Sequence, residues 1–235
     1  MKSFLKSVAL LGALSLPVAA QAADMVDDPA GLSWTGFYAG VHAGYGWGQS
    51  DLRNSSPPGP PSRTAAVDSN GFLGGVQIGY NWQSNSAVFG VVSDFTFSGV
   101  DGTLTSVPPP GPPYVATSDV NWLATLRARA GVLATPETLL YAHGGLALAD
   151  IDGSWTNAGA PVGPGPFRGI GSNTRAGWTI GAGIEHMFSE KVSAFAEYSY
   201  VDFGTARFSN ISGPAINYTQ DVNFHMIKFG LNYHF

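Results

Sequence analysis

Eight stretches of this sequence alternate in hydrophobicity with a period of two, and the connections between them are long and short by turns. The first stretch, 35–47, puts Phe37, Ala39, Val41, Ala43, Tyr45 and Trp47 on one face and Tyr38, Gly40, His42, Gly44 and Gly46 on the other. That is the pattern of a strand between two unlike environments. The second, 72–82, repeats it with Phe72, Val76, Ile78, Tyr80 and Trp82 against Gly75, Gln77, Gly79 and Asn81. Six more follow at about 87–98, 119–132, 138–150, 174–188, 191–203 and 221–235, and no helical periodicity of comparable length is present. Globular strands usually have about five or six residues. Strands that cross a bilayer at a tilt need about 9–11, and most of these runs are at least that long.

The connections constrain the chain further. Long ones are predicted at 48–71, 99–118, 151–173 and 204–220, and short ones at 83–86, 133–137 and 189–190. The alternation has no exception. A bilayer barrel has long loops on its extracellular side and short turns on its periplasmic side, whereas a soluble sandwich has no reason to sort its loops in this way. Of 16 prolines, 13 fall in the four long connections, and Pro-Pro-Gly-Pro-Pro occurs at both 57–61 and 109–113. No proline interrupts a proposed strand, where it would remove a ladder hydrogen bond. The proline clusters read as stiff, extended loops. The fold class is therefore all-β: an eight-stranded, antiparallel, up-and-down transmembrane β-barrel over 35–235.

The segment before the barrel is an address. Lys2 and Lys6 precede an apolar run from Val8 to Leu16, and Ala20-Gln21-Ala22 matches a cleavage site, so 1–22 reads as a secretory signal peptide. The run is too short to span a membrane as a helix, which takes about 20 apolar residues. Residues 23–34 are expected to form a periplasmic N-terminal segment.

Phase assigns each strand charge to a wall. Charged residues make up 11% of the chain, against about 25% for an ordinary soluble domain. By alternation Asp94, Arg127, Arg129, Glu185, Glu197 and Lys228 point inward, three acids and three bases. An eight-stranded barrel has an interior that side chains just fill, so these charges must pair there. Two pairs are predicted between neighbouring strands, Glu197 with Lys228 and Asp94 with Arg127. Inward glycines at 40, 44, 75, 79, 181 and 183 leave room for them. The outward face is apolar, with the lumen face polar, and Trp47, Trp82, Trp122 and Trp178 near strand ends suit an aromatic girdle at the membrane interfaces. The last strand ends on an apolar face that includes Tyr233 and Phe235.

Several chemistries are excluded or unsupported. Cysteine is absent, which removes zinc-thiolate sites, disulfides and cysteine nucleophiles. The net charge of −5, without a basic cluster, argues against nucleic acid as a partner. His42, His143 and His234 look inward and His186 and His225 sit near strand ends, with no spacing that marks a metal or haem site. Gly-x-Gly patterns such as Gly181-Ala-Gly183 lie inside strands and lack the following helix of a dinucleotide site. No nucleophile motif is present, and Ser199 and the histidines form no hydrolase set. No cofactor and no enzymatic activity are expected.

With these residues in view, a resemblance can be given. Trp34-Thr-Gly-Phe-Tyr-Ala-Gly-Val-His-Ala-Gly-Tyr-Gly-Trp-Gly48 resembles the first strand of the small outer-membrane β-barrel (porin-like surface antigen) proteins of alphaproteobacteria. Asn121–Gly131 followed by Leu139–Gly145 is similar to that family's central hairpin, and Gly177–Glu185 and Glu197–Gly204 to its sixth and seventh strands. Gly230-Leu-Asn-Tyr-His-Phe235 is similar to its closing strand. The resemblance implies an architecture related to the membrane domain of OmpA, location in the Gram-negative outer membrane among lipid and lipopolysaccharide, and reading of Tyr233 and Phe235 by the barrel assembly machinery. It links relatives to envelope integrity, surface antigenicity and, in some cases, haemin binding. The expected role is a structural, surface-exposed envelope component with a narrow plugged lumen. The alternatives are a porin-like channel for small solutes, a surface receptor for haemin or another ligand, and a soluble lipocalin-like barrel. The sequence leaves the oligomeric state open.

Overall fold

The structure is a computed structural model that describes residues 32–55, 64–106, 114–157, 173–209 and 217–235. The predicted signal peptide at 1–22, most of the segment 23–34 and the proline clusters lie outside the described residues. Eight strands follow in order: β1 (Gly36–Ser55), β2 (Thr64–Ser84), β3 (Ala87–Ser106), β4 (Tyr114–Thr135), β5 (Thr138–Asn157), β6 (Asn173–Ser189), β7 (Val192–Ser209) and β8 (Asn217–His234). Each pairs antiparallel with the next, and β1 pairs with β8, with Val41 opposite Leu231, so the sheet closes on itself. Closure is what allows strands to sit in hydrocarbon, because no backbone edge is left at membrane depth. No helix occurs among the described residues.

The turns at one end are tight, each with two residues between strands, at 85–86, 136–137 and 190–191. Asn85 takes a left-handed conformation, φ 53°, which asparagine tolerates better than most residues. The strands are longer than the alternation predicts. β1 continues past 47 to Ser55, β2 begins at Thr64 and not 72, and β3 runs to Ser106. The described residues of the long connections expected at 48–71, 99–118, 151–173 and 204–220 are therefore strand. The reason is physical: pairing needs only backbone groups, whereas the period-two signal needs lipid on one side. Twenty residues at the usual tilt rise roughly 45 Å, nearly twice the ~25 Å apolar band. The upper half of each strand leaves the membrane, and the signal ends there while the ladder goes on.

The outward positions record this exit. Ile78, Ile180, Leu231 and Phe229 face outward in the band, whereas above it Asp51, Asp68, Asp101, Asp119, Asp152, Asp202 and Asp221 occupy outward positions. Asp119 lies opposite both Asp101 and Asp152. Partial burial, then the two neighbouring carboxylates, lift its carboxyl above the usual range. The band makes a prediction. Phe229→Arg, mid-band on β8, should cost about 2–4 kcal/mol, while Thr103→Arg, outward but above the band, should cost about 0–1 kcal/mol. Urea unfolding midpoints in lipid vesicles check it; equal costs would contradict the placement of the bilayer.

Three bulges interrupt the extracellular ladders, between Phe97 and Val100, Val120 and Trp122, and Asp202 and Thr205. Each shifts the alternation by leaving one more unpaired residue on one strand than on its partner. The third carries Gly204 at φ 60°, a conformation glycine adopts without steric cost. The β6–β7 ladder stops nearby: Trp178 opposite Asp202 is its uppermost pair among the described residues.

Candidate functional site

The interior is the place where chemistry could occur, and it is layered. Asp94 on β3, Arg127 on β4, Glu197 on β7 and Lys228 on β8 meet near its middle. Arg127 Nη2 donates to Asp94 Oδ2 at 2.7 Å and Nη1 to Glu197 Oε1 at 2.6 Å. Lys228 Nζ lies 3.0 Å from Glu197 Oε1 and 3.6 Å from Asp94 Oδ2. Both predicted neighbour pairs are present, and Arg127–Glu197 adds a contact across the lumen, between strands that are not adjacent. Thr125 Oγ1 donates to Asp94 Oδ2 at 2.5 Å. The whole set is buried, and two acids against two bases leave it with no net charge.

A second layer lies nearer the short turns. Arg129 Nη1 donates to Glu185 Oε2 at 2.8 Å and Nε to Asn81 Oδ1 at 2.9 Å. Glu185 Oε1 accepts from Ser193 Oγ and Asn232 Nδ2, both at 2.6 Å. The Arg129 guanidinium sits over the rings of Tyr38 and Tyr141, 4.8 and 5.2 Å from their centroids, a geometry that favours a cation. Tyr141 Oη donates to Glu197 Oε2 at 3.1 Å and so joins the layers. Gly79 and Gly183 make space for those rings: a Cβ at Gly79 would strike the Tyr38 phenol, and one at Gly183 the Tyr141 phenol. His42, His143 and His234 also line the lumen, with His143 3.7 Å from Glu197 and His234 3.7 Å from Glu185.

The chain matches the family described as the outer membrane protein beta-barrel domain over residues 7–235. The chain belongs to this family. It is 35% identical to the 31 kDa outer-membrane immunogenic protein of Brucella melitensis over 209 residues, covering 87% of this chain and 85% of that one. It is 26% identical to the 25 kDa outer-membrane immunogenic protein of Brucella abortus, covering 98% and 99%. The crystal structure of OprG from Pseudomonas aeruginosa aligns with a TM-score of 0.52 at 12% identity, covering 86% of this chain and 96% of that one, which shows the fold alone. This outer-membrane barrel protein is thus located in the Gram-negative outer membrane, as its named alphaproteobacterial relatives are.

Outside the lumen, this family member places Trp47, Trp82, Trp122 and Trp178 on the outer wall. Trp82 lies toward the short turns, and Trp47, Trp122 and Trp178 toward the loops, with Trp122 stacked on Phe95 at 5.7 Å. Tyr233 and Phe235 face outward at the end of β8, and Phe235 N donates to Phe37 O on β1.

Two features of the lumen differ from the expectation. First, the inner wall is not polar throughout. Above the charged layers lie Leu73, Val100, Val120, Leu123, Ile151, Val201, Phe203, Val222, Phe224 and Met226, packed as an apolar cluster. The expectation of a polar lumen face is corrected for this level: Met226, Phe224 and Val222 continue the inward phase of Lys228, and Val201 and Phe203 that of Glu197, so the phase holds while the residues turn apolar, because a narrow interior is filled by side chains packed on one another and not by water. Second, Trp34 closes the opposite mouth. It is fully buried with Val88, Leu139, Tyr141 and Met187. Its Nε1 donates to Pro136 O at 3.0 Å and its backbone N to Gln83 Oε1 at 2.8 Å. It lies outside any periodic run; the signal that could find it is an isolated tryptophan beside an otherwise polar barrel entrance.

Proposed function

We propose that this barrel is a structural, surface-exposed component of the outer membrane, without enzymatic activity, whose lumen is closed to solutes. The observation that carries the reading is Arg127, buried and bonded to Asp94 on one side and Glu197 on the other, so that one guanidinium bridges opposite walls. An eight-stranded barrel leaves about enough interior for side chains alone. Here three kinds of packing follow one another along the axis: apolar cluster, two salt-bridged layers, and the Trp34 plug. A solute would have to break paired charges in a low-dielectric interior, where leaving one charge unpaired costs several kcal/mol. The immunogenic relatives support the surface-exposed part of the reading. The exposed Tyr233 and Phe235 at the end of the closing strand suit reading by the barrel assembly machinery.

The test is conductance. Monomer refolded and inserted into planar bilayers should give no stable open state at moderate voltage. Large, long-lived unit conductances, or rapid swelling of liposomes in small sugars, would overturn the closed-lumen reading in favour of a solute channel.

A further inference from the structure

The two charged layers of the lumen differ in which buried polar atoms lack a hydrogen-bond partner. In the central layer these are a donor, Arg127 Nε, and an imidazole nitrogen, His42 Nδ1. In the turn-side layer they are Tyr38 Oη, Asn81 Nδ2 and Arg129 Nη2, and each of the three carries a proton to donate. Tyr38 and Asn81 are 0% exposed and Arg129 5%. Nearly all buried donors in folded proteins find an acceptor, so three together in one layer call for an explanation.

The three come from different strands and converge on one guanidinium. Tyr38 stands on β1 opposite Gly79, Asn81 on β2 and Arg129 on β4. Arg129 Nε donates to Asn81 Oδ1 at 2.9 Å, which fixes the oxygen end of that amide and leaves its Nδ2 as the free end. The Arg129 Cζ lies 4.8 Å from the Tyr38 ring centroid. The side-chain oxygens around them are already engaged. Glu185 Oε1 accepts from Ser193 Oγ and Asn232 Nδ2, Glu185 Oε2 from Arg129 Nη1, and Asn232 Oδ1 from Gln77 Nε2 at 2.7 Å. The layer is therefore rich in donors beside a fixed positive charge.

We propose that Tyr38 Oη, Asn81 Nδ2 and Arg129 Nη2 hold a monatomic anion, a halide, inside the turn-side layer. A halide only accepts, which matches three donors. A water molecule would bring two protons of its own among oxygens that already have donors, and a buried donor left unmade is costly. Space sets the size. The wall is glycine where these side chains lie against it: a Cβ at Gly79 would strike the Tyr38 phenol, and one at Gly90 the Asn81 amide. The side chains fill the room those glycines leave, so a many-atom oxyanion does not fit. Glu185 binds the other arm of the guanidinium, and its carboxylate repels an incoming anion more strongly as that anion's charge rises. A single charge is thus favoured over a phosphate or sulfate. The bound ion would tie β1, β2 and β4 together beside the Trp34 plug. This inference does not depend on whether the lumen conducts.

The test uses the full mature barrel refolded in phosphocholine micelles at equal ionic strength in sodium bromide, sodium acetate or sodium gluconate. Bromide is present during refolding, so it is in place before Trp34 shuts the turn-side mouth. Urea unfolding should show a folding equilibrium about tenfold more favourable in roughly 0.2 M bromide than in gluconate, the mass-action effect of a site with a Kd of about 20 mM. Crystals grown in bromide should show an anomalous peak in contact with Tyr38 Oη, Asn81 Nδ2 and Arg129 Nη2. Asn81→Asp supplies a negative charge from the chain itself and should bring the bromide preference near one. Tyr38→Phe should cut it by about threefold or more, the usual loss of one hydrogen bond. Ser199→Ala, in the central layer, should keep it. Heat-modifiable gel mobility confirms that each variant folds, and Y38F with the crystals carries the test if N81D does not. No bromide preference in the wild type, a preference untouched in Y38F and N81D, one lost equally in S199A, or a water at the three donors in bromide-grown crystals overturns the proposal. Acetate as effective as bromide overturns the assignment to a monatomic anion.

Discussion

Arg127→Met is expected to destabilise the folded barrel by about 3–5 kcal/mol, the usual cost of removing one partner from a buried ion pair. Arg127 supplies the shortest contacts that Asp94 and Glu197 make with a cation, 2.7 and 2.6 Å. Without it Lys228 alone faces both carboxylates, at 3.6 and 3.0 Å. One negative charge is then left uncompensated among buried side chains. The loss should be charge-specific. The double variant R127M/E197Q leaves Asp94 with Lys228 as a neutral pair, so it should recover much of the loss although it removes one more hydrogen-bonding charge. Urea unfolding midpoints, followed by tryptophan fluorescence in phosphocholine micelles, measure both. A single variant as stable as the wild type, or a double variant no better than the single one, would mean that the network contributes packing and not electrostatics. Conductance of the single variant separates stability from gating. The Arg129–Glu185 layer and the apolar cluster remain, so the closed-lumen reading requires the variant to stay non-conducting.

How much of this was legible follows from what period two can encode. Asp94, Arg127, Arg129, Glu185, Glu197 and Lys228 were assignable to the lumen because a strand has only two faces and lipid excludes charge from one of them. Neighbour pairs were legible for the same reason: register sets Glu197 opposite Lys228. Contacts across the lumen were not. Arg127–Glu197 and Arg129–Glu185 join non-adjacent strands, and which inward residues meet across the axis depends on barrel shear, which alternation does not carry. The strand extensions, as from Trp47 to Ser55, were hidden because above the bilayer the outward face no longer needs to be apolar. The apolar cluster around Phe203 and Phe224 continues the inward phase of Glu197 and Lys228; it was hidden because the expectation made the lumen face polar at every level. The sequence therefore reads best within the band of hydrocarbon and least well above it.

Trp34→Ala should cost about 3–5 kcal/mol, in the range for truncating a fully buried aromatic, although Trp34 precedes the first strand. Its indole is completely buried among Val88 of β3, Leu139 and Tyr141 of β5 and Met187 of β6. Its indole Nε1 donates to Pro136 O in the β4–β5 turn, while the backbone N donates to Gln83 Oε1 at the end of β2. The side chain thus ties the entry of the chain to β3, β5, β6 and the β4–β5 turn, and its ring stands edge-on to His234 of β8 at 6.0 Å. Trp34→Phe separates the contributions. It keeps most of the buried ring and loses the indole donor to Pro136, so it should cost about 1 kcal/mol for the hydrogen bond plus a smaller packing loss. Tryptophan emission in the wild type should include one quencher-inaccessible component that disappears in both variants. If W34A unfolds at the wild-type urea concentration, the segment before β1 is only a tether and the turn-side mouth is held shut by Arg129 and Glu185 alone. If W34A is destabilised and W34F is nearly wild type, the plug is a packing element of the barrel.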